Sequence, residues 1–257
     1  MRDDWFLKWM FRILFIIMIF VFWLASHTYA NASQSWDDWI REDLIGQELL
    51  WHDTDITIVA PYRATDPAGV EISIDASHEG KPSYHKLTLV IDENPTPCCA
   101  TFEFYDEHPH VMTNVRVNAY TDLTVLSEDE YKNYSYNQKF IKAAGGCSAP
   151  PTITTDKPFG TINLIQIPGW TKIKIWHPNY SGLQFDQLTR SEIPALFIEN
   201  VKMWVNDKLV WEYNGTIGIA QDVFFMMPIH TVGKAVRVQA IDNEGQIFNY
   251  TNYMEFR

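Results

Sequence analysis

Hydrophobic and polar residues alternate with a period of two in short runs along most of the chain. The runs are Val70–Ala76, Leu87–Asp92, Thr101–Phe104 and Val115–Ala119, then Ile173–Ile175, Val201–Val205 and Val236–Ala240. This alternation is typical of antiparallel strands with one buried face. The dipeptide Asn206-Asp207 and the segment 242–245 lie between apolar runs and predict hairpin turns. The sequence therefore predicts an all-β protein built from β-sandwiches.

The segment before these runs has a different period. Ser35-Trp-Asp-Asp38 matches the S-x-x-D pattern of a helix N-terminus. Trp36, Ile40 and Leu44 follow at roughly helical spacing. Residues 36–50 are predicted to form one short helix.

A proline-rich segment divides the chain into two domains. Residues 148–160 hold three prolines and show no alternation, which predicts a semi-extended linker. We therefore expect one sandwich over residues 33–147, including the short N-terminal helix, and a second over residues 161–257.

The first 32 residues have the composition of an export signal. Lys8 and Arg12 precede an apolar run over residues 13–25, and Ala30-Asn-Ala32 follows. This order predicts a secretory signal peptide cleaved after Ala32 and a mature protein in the periplasm. The alternative is an uncleaved membrane anchor, although the run is shorter than the roughly 20 residues that a spanning helix needs.

Charge narrows the classes of partner. The chain has 32 acidic and 20 basic residues, a net charge of -12, and 46% of its residues are hydrophobic. The apolar content excludes a disordered protein. The negative charge argues against nucleic acid and, after signal cleavage, against a membrane surface, and it favours basic protein partners.

Three cysteines are the main candidates for chemistry. Cys98 and Cys99 are neighbours at the start of a predicted strand, so their side chains should point to opposite faces, as core or redox-active residues. Cys147 follows Gly145 and Gly146, whose lack of side chains would leave its thiol exposed on a thin, flexible arm. The alternative is that Cys147 is paired with Cys98 or Cys99.

Several motifs together resemble one bacterial family. The Gly145-Gly-Cys147 arm and the strand Asn94-Pro-Thr-Pro-Cys-Cys-Ala-Thr-Phe102 are similar to SoxY, the carrier subunit of the thiosulfate-oxidising system. The second half resembles SoxZ, its Ig-like partner, in His177-Pro-Asn-Tyr-Ser-Gly182, Ile193-Pro-Ala-Leu-Phe-Ile198 and Asp242-Asn-Glu-Gly245. The chain looks like a SoxY–SoxZ fusion, of the sort associated with quinoprotein dehydrogenases.

The resemblance implies a carrier without turnover of its own and without a cofactor. Cys147 would hold a sulfur intermediate covalently, and Gly145 and Gly146 would be the hinge of a swinging arm. The implied partners are periplasmic sulfur-oxidation enzymes, c-type cytochromes and a quinoprotein dehydrogenase. The family's arm ends its chain as Gly-Gly-Cys-Gly-Gly, whereas here Ser148 continues into a second domain. The alternative is a non-covalent docking module for a quinoprotein dehydrogenase or cytochrome.

Other chemistry-bearing residues have simpler interpretations. His108 and His110 could ligate a metal but are expected in an exposed loop. Met226 and Met227 with His230 could suggest copper, but a core strand explains these methionines more simply. We therefore expect no metal site. His177 is expected to be structural, and Trp170, Trp176, Trp204 and Trp211 are expected in the core or on a partner-binding face.

Overall fold

A computed structural model describes residues 36, 41–46, 50–53, 55–77, 84–105, 108–152 and 157–254. The predicted signal peptide, residues 1–32, lies outside these ranges, as do residues 153–156 of the predicted linker. Within the described residues, no helix has the length and apolar character needed to cross a membrane.

The described chain contains one short helix and seventeen strands. The helix α1 spans Arg41–Ile45. The first half of the chain forms β1 Leu50–His52, β2 Thr57–Val59, β3 Val70–Asp75, β4 Tyr84–Ile91, β5 Cys98–Phe104, β6 His110–Val115, β7 Thr121–Asp129 and β8 Tyr134–Ile141. The second half forms β9 Ile162–Ile167, β10 Trp170–Ile175, β11 Gln184–Phe185, β12 Glu192–Ile193, β13 Ile198–Val205, β14 Lys208–Gly215, β15 Phe224–Met227, β16 Ala235–Asp242 and β17 Ile247–Tyr253.

Two large sheets run through both halves. Nine strands form one sheet in the order β1-β8-β7-β4-β5-β14-β13-β16-β17, and six form the other in the order β2-β3-β6-β15-β10-β9. Each half contributes a block of neighbouring strands to each sheet. The blocks join at the antiparallel pairs β5–β14 and β6–β15, which together we call the seam.

The seam is part of the hydrophobic core. Phe102 from β5, Trp211 and Tyr213 from β14 and Phe225 from β15 are all buried there. Their ring centroids lie between 4.7 and 6.5 Å apart. Aromatic packing of this kind contributes beyond the area that it buries. The two halves therefore share one core.

The all-β prediction, with two tandem sandwich domains, is confirmed. The structure adds that the sandwiches are joined edge to edge through their sheets. The turn predictions hold as well, because Asn206 and Asp207 adopt positive φ between β13 and β14 and Gly245 does so between β16 and β17.

Two local predictions were wrong. The helix ends at Ile45 rather than at residue 50, because Gly46 has a φ of 60° and Leu50 already belongs to β1, while residues 37–40 lie outside the described residues. The run Val115–Ala119 is not a strand, because β6 ends at Val115 and residues 116–118 leave the sheet. Those three residues receive the arm described below.

Candidate functional site: a docked cysteine arm

The arm, residues 143–149, follows β8 and is docked against the first half of the protein. Gly145 N donates a hydrogen bond to Asn118 O (2.7 Å), and Gly146 N donates one to Val117 O (3.1 Å). The next side chain, Cys147, has no exposed surface. The expectation of an exposed thiol on a free arm therefore does not match the structure, in which main-chain hydrogen bonds hold the arm in place.

The two glycines make this docking sterically possible. A Cβ on Gly146 would lie 2.0 Å from Pro67 O and 2.6 Å from Val117 O, far inside van der Waals contact. Gly145 has a φ of 77°, a conformation that other residues rarely adopt. The glycines thus allow close main-chain approach in the docked state, and their role as a hinge stays a prediction.

The second half of the chain holds the arm from the other side. Ser181 Oγ donates a short hydrogen bond to Cys147 O, and Gln184 Nε2 donates one to Ala149 O (2.7 Å). Ser181 and Gln184 are themselves buried. The docked arm therefore binds main-chain oxygens of the first half and side chains of the second half.

A buried arginine lies where the arm meets the two halves. Arg116, directly after β6, is 1% exposed. Its guanidinium donates to Gly146 O (Nη1, 3.0 Å), Asn179 O (Nη2, 3.1 Å) and Ile219 O (Nε, 3.2 Å). Burial lowers its pKa, and the neighbouring Cys147 and then Asp66 oppose that shift. One side chain from the first half therefore binds the arm and two loops of the second half.

The segment that receives the arm is fixed by an asparagine. The buried Asn94 side chain donates through Nδ2 to Arg116 O (2.8 Å) and accepts through Oδ1 from Asn118 N (2.8 Å). Arg116 N also donates to Gly218 O (2.7 Å). These bonds satisfy main-chain groups that would otherwise have continued the ladder of β6. They explain why residues 116–118 leave the sheet despite their strand-like alternation.

The docked Cys147 is held as a neutral thiol. Burial raises its pKa from an ordinary 9.0 to about 11, and the positive charge of Arg116 opposes part of that shift. The thiolate is the nucleophilic form of cysteine, so a thiol with this pKa is almost unreactive at neutral pH. The docked position is therefore a protected one.

The structure separates the other two cysteines, as strand alternation predicts. Cys99 is buried in the main core, while Cys98 is half-buried against a small cluster on the opposite face that includes Trp36 and Ile45. All three cysteines are free thiols. Burial, and then the nearby Cys147, raise the pKa of Cys99 strongly. The structure thus brings Cys147 beside Cys99, across the strand from Cys98.

The predicted histidine and tryptophan positions divide between core and surface. His108 is exposed, as expected, but His110 lies on β6 rather than in a loop. His177 is buried, with its Nδ1 accepting from Asn179 N (3.1 Å). Of the tryptophans considered, Trp211 is in the core, whereas Trp170, Trp176 and Trp204 are only half-buried.

The predicted methionine pair is split by strand alternation. Met227 is fully buried, Met226 is half-buried on the opposite face of β15, and His230 is exposed beyond the strand. Across the part of the chain that the structure describes, no three His, Cys, Asp or Glu side chains cluster as metal ligands.

Sequence reasoning missed Arg116, Asn94 and Ser181. Arg116 occupies a polar position of an alternating run, where the sequence predicts an exposed side chain, so no local signal marked it as buried. Asn94 and Ser181 were inside the motifs that carried the family resemblance, but their hydrogen bonds join segments far apart in the chain and could not be foreseen.

Comparison with known proteins gives the chain a family. The profile of the sulfur oxidation protein SoxY matches residues 41–147, and that of the sulphur oxidation protein SoxZ matches residues 169–252. No curated protein matches.

Two solved structures illustrate the similarity. The sulfur carrier protein SoxY from Chlorobium limicola f thiosulfatophilum is 20% identical, with a TM-score of 0.38 over 44% of this chain and 94% of that one. The fibronectin(III)-like modules of Clostridium thermocellum CbhA are 10% identical, with a TM-score of 0.24 over 77% of this chain and 94% of theirs. On the family matches, the chain belongs to the SoxY and SoxZ sulfur oxidation proteins, with a SoxY domain followed by a SoxZ domain in one polypeptide.

Proposed function

We propose that this protein is a covalent carrier that holds a sulfur-containing intermediate on Cys147 and presents it to partner enzymes of sulfur oxidation. The observation that supports it most is the position of Cys147, on a Gly-Gly arm whose residues 145–149 are bound to both halves of the protein by hydrogen bonds. In this proposal the arm leaves its site without unfolding the sheets, because residues 143–149 belong to no strand of either large sheet.

The proposed cycle has two positions of the arm. In the docked position the thiol is buried, neutral and protected. When the arm is released, Cys147 loses the burial that raises its pKa, and its thiolate becomes available to form an S–S bond to a sulfur intermediate. This bond formation is an oxidation, and the two electrons that it releases pass to the proposed c-type cytochrome partners. Gly145 and Gly146 serve as the hinge, and Ser148 limits the reach because the chain continues into the SoxZ domain.

The partners and compartment follow the same proposal. The SoxY and SoxZ family matches support partners among sulfur-oxidation enzymes. We extend this to c-type cytochromes and a quinoprotein dehydrogenase, to a periplasmic location after cleavage of residues 1–32, and to a cargo derived from thiosulfate. The carrier needs no cofactor, and the partner enzymes supply the turnover.

The test is the site and nature of the adduct on natural material. The protein is purified without reductant from periplasm of the cells that produce it, and its peptides are mapped by mass spectrometry. We expect sulfane sulfur or sulfonate on the peptide that contains Cys147. The Cys147→Ser variant should lose the adduct and the matched Cys98→Ser variant should keep it. Adducts that are absent, or that persist in Cys147→Ser, would overturn the proposal.

A docking module is the second candidate, and one observation favours it. Leu183, Phe185 and Leu188, in and beside the β11–β12 hairpin, are exposed, with Leu188 94% accessible. They are close in sequence to Ser181 and Gln184, which hold the arm. Under this alternative the hairpin binds a partner while the arm stays docked, and no adduct forms on Cys147.

A further inference from the structure

A buried histidine lies next to the loop that holds the arm from the SoxZ side. His177 follows shortly after β10, and its side chain has no exposed surface. Its Nδ1 accepts a hydrogen bond from Asn179 N (3.1 Å). A ring nitrogen that accepts a hydrogen bond carries no proton, so this bond exists only while the imidazole is neutral. Protonation at Nδ1 would set one N–H group against another.

Asn179 connects this histidine to the arm. Asn179 O accepts a hydrogen bond from Arg116 Nη2 (3.1 Å), and Arg116 Nη1 donates one to Gly146 O (3.0 Å). Two residues after Asn179, Ser181 Oγ donates to Cys147 O. The loop that begins at the histidine therefore supports the arm both directly and through Arg116.

A carboxylate faces the other nitrogen of the histidine. His177 Nε2 lies 3.8 Å from Asp242 Oδ2, and Asp242 is 1% exposed. Within the described part of the chain, neither of these two atoms has a partner within hydrogen-bond distance. A buried carboxylate at this distance favours a charged imidazole. Asp242 thus favours protonation of His177, while the N–H of Asn179 opposes it.

Two aromatic rings and two further charged residues surround His177. The rings of Phe159 and Phe248 pack against the imidazole, with centroids 4.7 and 6.0 Å from it. Lys157 and Asp222 line the same cavity as His177. Their opposite charges act on the imidazole in opposite directions, so the carboxylate at Nε2 and the N–H at Nδ1 are the groups that distinguish its two protonation states.

We propose that His177 is a positioning residue for the arm: its neutral form keeps the arm docked, and its protonation releases the arm. When Nδ1 takes a proton from solvent, it becomes a donor and can no longer accept from Asn179 N. The imidazolium then pairs with Asp242, Asn179 moves away, and its carbonyl oxygen no longer accepts from Arg116. Gly146 O is then held less firmly, which favours release.

The direction of the pH dependence follows from the burial of His177. Burial lowers its pKa below the ordinary 6.5, and the carboxylates of Asp242 and Asp222 oppose part of that shift. The docked state therefore binds a proton less readily than a released state in which the imidazole is solvated. Docking is strongest above about pH 6.5 and weakens as the pH falls below it, by at most about tenfold per pH unit for one proton.

The experiment measures the protection of Cys147 in the full chain between about pH 8 and about pH 5. Protection is the rate at which dipyridyl disulfide reacts with a synthetic peptide of residues 143–149, divided by its rate with Cys147 of the native protein. The ratio cancels the loss of thiolate that every thiol shows in acid. We expect protection to fall about tenfold across this range. Cys99 should stay protected throughout and report that the core is folded.

A glutamine variant separates titration from structure. His177→Gln keeps an acceptor for Asn179 N but does not titrate, so its protection of Cys147 should not change with pH. The matched control His230→Gln removes an exposed histidine of the same domain and should keep the wild-type profile. A wild-type protection that does not fall with pH, or a His177→Gln variant that falls equally, would overturn the proposal.

A second measurement decides the case in which the glutamine variant does not dock the arm at any pH. The ring signals of His177 in the wild-type protein are followed by NMR, and their midpoint should coincide with that of the loss of protection. Midpoints that differ would overturn the proposal. The inference rests on the proposed function only for the purpose of release. Because both measurements use protein without cargo, their failure leaves the adduct test on Cys147 unaffected.

Discussion

Gly146 lies where the main chain of the arm runs closest to the first domain, with Pro67 O only 2.0 Å from the position that a Cβ would take. A Cβ on the neighbouring Gly145 would meet only Ser148 Oγ, at an ordinary 3.9 Å, so its positive φ is the reason for glycine there. The two glycines thus have different physical requirements within one motif, and a substitution at Gly146 tests docking directly.

The Gly146→Ala variant should lose the docked arm while the sheets stay folded. The clash is with main-chain atoms, which cannot move aside, so the arm should be released and the thiol of Cys147 exposed. The rate at which Cys147 reacts with Ellman's reagent should therefore rise by about tenfold or more, which is equivalent to a loss of about 1.4 kcal/mol of docking free energy. Gly69→Ala is the matched control, because its Cβ would meet Asp66 Oδ2 at an ordinary 3.4 Å. Equal reaction rates in the two variants would contradict steric docking through Gly146.

The raised pKa of Cys147 predicts a loss of stability at alkaline pH. Between its ordinary value of 9.0 and about 11, the folded chain keeps a proton that the unfolded chain has released. The free energy of unfolding therefore falls as pH rises through this window, by at most about 1.4 kcal/mol per pH unit from this group. Below pH 9 the contribution is fully present.

Urea unfolding at a series of pH values from 8 to 10.5 measures this effect. The wild-type curve should fall more steeply than that of Cys147→Ser above pH 9, because the hydroxyl does not titrate there. Burial raises the pKa values of Cys99 and Tyr213 well above this pH range, so neither group titrates in the folded state of either protein. Parallel curves would show that Cys147 is not buried as a thiol.

The docking site of the arm is formed by segments that lie outside the named helix and strands. Residues 116–118 follow β6, and Asn179 and Ile219 belong to loops of the SoxZ domain. Arg116 joins these segments through three hydrogen bonds to main-chain oxygens. A charged donor of this kind contributes more than a neutral one, and its removal leaves buried acceptors without partners.

Replacing Arg116 with methionine should lower the free energy of unfolding by about 3 kcal/mol, since several buried carbonyl groups lose their donor. It should also speed the reaction of Cys147, because Gly146 O is one of those groups. Arg237→Gln is the control, since Arg237 lies over the ring of Trp204 on a half-buried face and makes no contact with the arm. Urea unfolding compares the two variants. If the free energy of unfolding falls no further in Arg116→Met than in Arg237→Gln, the hydrogen bonds of Arg116 do not stabilise the fold as described.

The alternating pattern of the sequence predicts some strands correctly and fails where distant residues end a strand. Alternation predicted β3, β13 and β16, because each has one face in the core. The same alternation predicted a strand at residues 115–119, where Asn94, 22 residues earlier, binds the main chain and ends the ladder instead. The pairing of β6 with β15 likewise depends on register between domains, which a single sequence does not reveal.

Across the whole chain, the two domains share both large sheets and one hydrophobic core. Both sheets cross the seam, and the arm is held by the SoxY domain on one side and the SoxZ domain on the other. The linker over residues 148–160 stays a prediction, and the proline-rich composition from which it was inferred gave no indication of the edge-to-edge joining. That joining needs matching strand edges on both domains, for which the sequence carries no local pattern.

The Phe102→Ala variant tests the shared core. Phe102 is fully buried and packs against Trp211, Tyr213 and Phe225, so its truncation should cost about 3–5 kcal/mol. Because the two domains share the seam, denaturant unfolding should show a single transition, at the same denaturant concentration by tryptophan fluorescence and by circular dichroism. In Phe102→Ala this whole transition should shift to a lower denaturant concentration. Phe185→Ala changes an exposed side chain and should leave the free energy of unfolding within about 0.5 kcal/mol of the wild-type value. Two separate transitions would contradict a shared core.

The proposed carrier function requires that the arm leave its site while the rest of the protein stays folded. The most direct measurement is the rate at which each cysteine is alkylated in the native protein, read by mass spectrometry at increasing low concentrations of urea. Cys99 is buried in the core and should react only through global unfolding, at a rate that rises steeply with urea. Cys147 should react faster than Cys99 and almost independently of urea, through local release of the arm. Equal rates and equal urea dependence for the two cysteines would contradict the account.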